Sequence, residues 1–147
     1  MNKGLRMIAT GIYLTHDQRL LRVMMLNEEL DACYSSMPAG MSDGQARGSS
    51  GSDRVSGLVT RIERIKSERD AEQERINAVD WAKNEVRDSF SDIQAPTVIT
   101  ALGLYLRRQT EAALLLLDSA EISRNSFFRA KNLFLRQILS YLHMKDY

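Results

Sequence analysis

Proline is nearly missing from this chain of 147 residues, with Pro38 and Pro96 the only two. An internal proline removes a backbone donor and clashes with the preceding turn, so its scarcity leaves room for long helices. Cysteine is scarcer still. Cys33 stands alone, which excludes an intrachain disulfide and fits a reducing compartment. The two histidines, His16 and His143, lie near opposite ends, with no H-x-x-x-H spacing and no second cysteine to complete a zinc site. No metal and no cofactor are therefore expected. No run approaches the roughly 18 apolar residues of a membrane span, and the longest, Ala112 to Leu117, is a third of that. The opening MNKGLRMIATGIYL is interrupted by Arg6, Thr10 and Gly11 and lacks the apolar core of a secretory signal. A cytoplasmic protein is expected.

Excess charge of either sign is missing as well, the net being +1. A hydrophobic fraction of 44% with 27% charged residues is that of a folded chain. From Ala101 onward seven bases (Arg107, Arg108, Arg124, Arg129, Lys131, Arg136, Lys145) face four acids (Glu111, Asp118, Glu121, Asp146), so this part is mildly basic. That balance permits contact with nucleic acid without requiring it.

Periodicity divides the chain. Thr15, with Gln18 three residues on, has the form of a capping box. Leu20, Val23, Met24, Leu30 and Tyr34 then recur on roughly one face, predicting a helix to about Cys33. Residues 35–52, SSMPAGMSDGQARGSSGS, lack an apolar period and read as a flexible loop. From Asp53, read as an N-cap, Val55, Leu58, Ile62, Ile65, Ile76, Val79, Val86 and Phe90 follow three- and four-residue spacings between charged faces. This predicts one helix of about 38 residues, on the order of 55 Å long. A helix of that length needs a partner along its seam. The first helix supplies one in an antiparallel hairpin, and a second copy of the chain is the alternative, by coiled-coil pairing.

Pro96 ends the long helix near Ser91–Ala95. Beyond it, Val98, Leu102, Tyr105 and Leu106 mark a short helix, Thr110 opens a second to about Ala120, and Ser123 caps a third from Arg124 to about His143. The expected fold is all-α: a long antiparallel helical hairpin followed by a small C-terminal three-helix bundle of helix-turn-helix type. Its expected divisions are 1–14, 15–92 and 96–147.

Catalysis finds no support. No glycine-rich phosphate loop follows a strand, no strand is evident, and the acids of the long helix alternate with bases as on a solvated face. His16 reads as a surface residue and Cys33 as a small buried hydrophobe. No catalytic residue and no small-molecule substrate are expected.

The informative stretch is residues 119–142, SAEISRNSFFRAKNLFLRQILSYL. Wound as a helix, it puts Phe127, Phe134 and Ile138 on one face with Ala130 nearby. Asn125, Arg129, Asn132 and Arg136 form an opposite stripe. Arginine forks onto guanine edges or phosphates, and asparagine pairs with adenine, so this is a front for the DNA major groove. Arg124, Lys131, Arg107 and Arg108 are placed to hold phosphates. A solvated helix face has the same spacing, and that alternative stays open. Acids are absent from Ile122 through Lys145, which favours an anionic partner.

Two stretches carry a family resemblance. One is Ser50-Gly51-Ser52-Asp53-Arg54-Val55, opening the charged helix. The other is Leu104-Tyr105-Leu106 with Ser123-Arg124-Asn125-Ser126-Phe127-Phe128-Arg129, then Ala130 and Leu133. Over residues 15–142 the order of parts resembles the RinA-type phage late-transcription regulators, whose C-terminal region is similar to region four of bacterial sigma factors. The resemblance implies a DNA-binding transcription regulator acting on double-stranded DNA in the bacterial host cytoplasm, with residues 124–138 as recognition helix. The chain departs from the pattern in two places. The family's turn glycine is replaced near Glu121, and the first motif helix carries Leu114-Leu115-Leu116-Leu117. Those leucines suit a protein contact: RNA polymerase, another host or phage protein, or a second copy. A non-enzymatic protein-binding module is the alternative function.

Overall fold

The computed structural model describes residues 1–37 and 52–143, and every regular element among them is an α-helix. The helices are α1 (Lys3–Leu14), α2 (His16–Ser35), α3 (Ser52–Asp88), α4 (Ala95–Leu106), α5 (Thr110–Ser119) and α6 (Arg124–Tyr141). The chain is all-α over this span. Most of the serine-glycine stretch expected to be a flexible loop, residues 38–51, lies outside the described residues, as do residues 144–147 and the side chain of Asp53.

Two compact units form. The first comprises Met1–Asp17 with Arg75–Tyr147, and the second Gln18–Glu74. The division runs through α2 and α3, not at the breaks near residues 14 and 92, because the C-terminal part of α3 packs with the flanking short helices. In the first unit Ala78, Val79, Ala82 and Val86 of α3 share a core with Ala9, Ile12 and Tyr13 of α1. Val98, Leu102, Leu117, Phe127, Phe134 and Ile138 complete it. Each large side chain sealed there contributes roughly 1.5–3 kcal/mol through removal from water.

Within the second unit α2 meets α3 through Leu26, Leu30, Cys33, Ile62 and Ile65. Arg19 pairs with Glu72 at 2.7 Å, Arg22 with Glu68 at 3.0 Å, and the Lys66 ammonium stands 5.5 Å from the Tyr34 ring centre. Partners thus descend along α3 as they ascend along α2. Val55, Ile62 and Ile65 of α3 are buried in this unit, and Ile76, Val79 and Val86 in the first. Cys33 is buried as expected.

Residues 3–14, whose order the sequence left open, form a helix. Four expectations about helix ends and faces are corrected. Thr15 does not open α2 in the manner of an N-cap. Its backbone is near-helical, and its hydroxyl donates back to the Gly11 carbonyl at 2.8 Å, closing α1. On α2, Leu20, Met24 and Tyr34 are exposed and the buried stripe is Leu26, Leu30 and Cys33. Leucines and methionines ring the first half of that helix, so several apolar stripes competed. Gln109, one residue before Thr110, is the N-cap of α5, and its side chain makes no capping bond. Pro96 falls in the first turn of α4, where a missing N–H costs nothing, and α3 has already ended at Asp88.

Candidate nucleic-acid interface

Helix α6 is set in place by its N-terminal cap and its apolar back. Ser123, in extended conformation, accepts from the Ser126 amide at 3.5 Å and caps the N-terminus. Before it, α5 closes in a Schellman motif. Ile122 N–H donates to Leu117 O at 2.9 Å, Glu121 N–H to Asp118 O at 3.1 Å, and Glu121 sits left-handed at φ 58°. Ile122 and Leu117 are both buried, the apolar contact that accompanies this motif. The same device ends α4. Arg108 has φ 64°, donating to Tyr105 O at 3.0 Å, and Gln109 donates to Leu104 O at 2.9 Å. Neither left-handed position holds the glycine that would adopt it without strain.

Along α6 Phe127, Ala130, Phe134, Leu135, Ile138 and Leu139 are buried. Tyr105 stacks edge-on against Phe127 and Phe128, and Tyr13 against Phe134 at 5.4 Å between ring centres. Asn125, Arg129, Asn132 and Arg136 are all exposed on the far side, on one unbroken helix. Beside them lies a groove of about 350 Å³ lined by Ser89, Phe90, Ser126, Arg129, Ala130 and Leu133.

Of the four flanking bases, Lys131, Arg107 and Arg124 contact rings or a carboxylate. Lys131 is half-buried with its ammonium 5.2 Å from the Tyr105 ring centre and 5.5 Å from that of Phe128. Burial, and after it the charge of Arg6, lowers its proton affinity. Arg107 donates to the Tyr13 hydroxyl at 3.1 Å and lies over that ring. Both cations thus lie against aromatic rings, Arg107 as an exposed residue and Lys131 as a half-buried one. Arg124 forks onto Asp118 through Nη2 at 2.9 Å and Nε at 3.4 Å. That hydrogen bonding holds the Asp118 carboxyl below its ordinary value and the guanidinium above its own. Arg108 is exposed.

Sequence reading missed three neighbours of this face. Asp118, five residues before the N-cap, returns a negative charge to a stretch that had none in sequence. Trp81 donates from Nε1 to Gln137 at 3.3 Å and borders α6 from α3. The positive charge of Arg6, on α1, acts on Lys131. A second groove, about 300 Å³, is lined by Glu111, Leu114, Leu115, Asp118 and Arg124. No group of histidine, cysteine and carboxylate side chains among the described residues is placed to hold a metal ion, and no described helix is long and apolar enough to cross a membrane.

No protein-family model, curated protein or solved structure matches this chain.

Proposed function

We propose that the chain is a non-enzymatic, sequence-specific DNA-binding transcription regulator of the phage late-gene type. In this reading α5, the turn at Glu121 and α6 act as a helix-turn-helix, α4 completes the small bundle, and α2 with α3 forms the hairpin. One observation carries it: Asn125, Arg129, Asn132 and Arg136 are exposed together on one helix whose other face is sealed. Donor forks and amides in that row match the base edges of the major groove. The left-handed turn residue supports the reading too, since Glu121 stands where the resembling family carries glycine. Arg108, and Arg124 once drawn from Asp118, would hold phosphates. The test is selection from a pool of random duplexes. Enrichment of one sequence is expected, and recovery of an unenriched pool would count against the proposal.

A second reading is favoured by Leu115, which is 67% exposed on α5 beside the groove that Glu111, Leu114 and Asp118 line. An exposed leucine among acids suits a protein partner such as RNA polymerase, with binding that persists at salt concentrations where DNA contacts weaken.

A further inference from the structure

The groove beside Arg129 has the make-up of a ligand site. Ser126, Ala130 and Leu133 line it from successive turns of α6, and Ser89 and Phe90 line it from the stretch just after α3. Ala130 is buried and Phe90 and Leu133 are half-buried, so much of the lining is apolar. Arg129, exposed, completes it, and among the described residues no carboxylate or carbonyl engages its guanidinium. The Ser126 hydroxyl is likewise unbonded among them, whereas the Ser89 hydroxyl donates to Glu85 O at 3.1 Å. No acid lines this groove. The second groove differs, since Glu111 and Asp118 line it and Asp118 already engages its arginine, Arg124.

We infer that this groove binds a small apolar carboxylate, its head group on the Arg129 fork and its hydrocarbon body on Phe90, Ala130 and Leu133. Size limits the occupant. A volume of about 350 Å³ is near the lower end of the roughly 300–1,000 Å³ usual for small-molecule pockets, so one ring or a short chain fills it. Charge selects the head group. A guanidinium meets a carboxylate with two parallel hydrogen bonds, and the free Ser126 hydroxyl can donate a third. A phosphate dianion would lose its water against Phe90 and Leu133 with no second cation in the lining to offset the cost. Ser126, Ala130 and Leu133 lie roughly 70–130° round α6 from the centre of the polar quartet, and Arg129 stands between. Its side chain can close on the groove or point at DNA, but not both. Occupation therefore draws Arg129 from base edges, a consequence that, unlike the binding itself, rests on the DNA reading.

Chemical-shift titration of the whole chain without DNA tests this, with phenylacetate as probe and phenylacetamide and acetate as controls. Phenylacetate should move the signals of Phe90, Leu133 and the Arg129 Nε–H together, with a dissociation constant on the order of millimolar for so small a ligand. Phenylacetamide, lacking the charge, and acetate, lacking the ring, should each bind at least about ten-fold more weakly. Arg129→Gln should erase the preference for acid over amide and leave the melting temperature unchanged. Equal binding of acid and amide overturns the inference, as do acetate shifts as large as those of phenylacetate, or Arg129 shifts without Phe90. A second arm adds the selected duplex, whose affinity should fall several-fold at saturating phenylacetate. Unchanged duplex affinity there overturns the sharing of Arg129. A duplex bound by a protein that ignores phenylacetate overturns the inference alone, and phenylacetate binding with no duplex selected overturns the DNA reading alone.

Discussion

The guanidinium of Arg107 covers the ring of Tyr13 at 5.2 Å from its centre and donates to its hydroxyl at 3.1 Å, tying the end of α4 to α1. Gly103 makes this possible. A Cβ at that position would stand 2.8 Å from Arg107 Nη1 and 2.9 Å from Tyr13 Oη. Tyr13→Phe, which removes only the acceptor, should lower stability by about 0.5–1 kcal/mol. Gly103→Leu should cost about 1–3 kcal/mol by overfilling a closed contact. Thermal melts measure both, and DNA affinity of the folded Tyr13→Phe protein should equal that of the wild type.

His16 gives the fold a pH dependence. It was expected in solvent, but the side chain is largely covered, with Nε2 3.8 Å from Asp80 Oδ1 and Nδ1 buried without a partner among the described residues. Desolvation lowers its pKa from 6.5, Asp80 and Asp17 oppose that, and Lys83 adds to it. The unfolded chain therefore binds this proton more readily than the folded one. Stability from this group is complete above pH 6.5 and falls as pH drops through that value toward the folded pKa. Denaturant titrations between about pH 7.5 and 5 should show the decline. His16→Gln should flatten it in that window.

The strained caps offer gains. A left-handed conformation costs a residue with a Cβ about 1–2 kcal/mol, and Glu121 and Arg108 both adopt it. Glu121→Gly and Arg108→Gly should each raise stability by about 1 kcal/mol, read from melting curves. The Glu121→Gly protein should bind DNA at least as well as the wild type, since the turn is kept and a negative charge is lost.

Asp118 occupies a base that the DNA reading needs. Asp118→Asn frees Arg124 from its fork and removes a negative charge beside the N-terminus of α6. Affinity for duplex DNA should rise several-fold at low salt, with the gain shrinking as salt increases. Unchanged affinity at every salt concentration would place Arg124 away from the phosphates.

Some of this molecule was legible in the chain and some was not, for physical reasons. Helix α6 was readable because Phe127, Phe134 and Ile138 repeat against the polar quartet without interruption, and Ser123 caps it locally. The long α3 was readable from the same kind of spacing. Such signals lie within one helix. The contacts of Arg107 and Lys131 with Tyr13 and Tyr105 were not legible, because those aromatic partners are carried by other helices. Helix α1 was left open because it is short and carries Gly4 and Gly11, although Ala9, Ile12 and Tyr13 fall on one buried side.

The most direct measurement is a fluorescence-anisotropy titration of the selected duplex, from about 50 to 200 mM salt, with wild type and the Arg129→Ala, Arg136→Ala double variant. Wild-type affinity should fall steeply with salt. The double variant should lose roughly 1–3 kcal/mol of specific binding for each base-reading arginine and show a shallower salt slope, with its melting temperature unchanged. Identical titrations for the two folded proteins would contradict a DNA-reading face on α6.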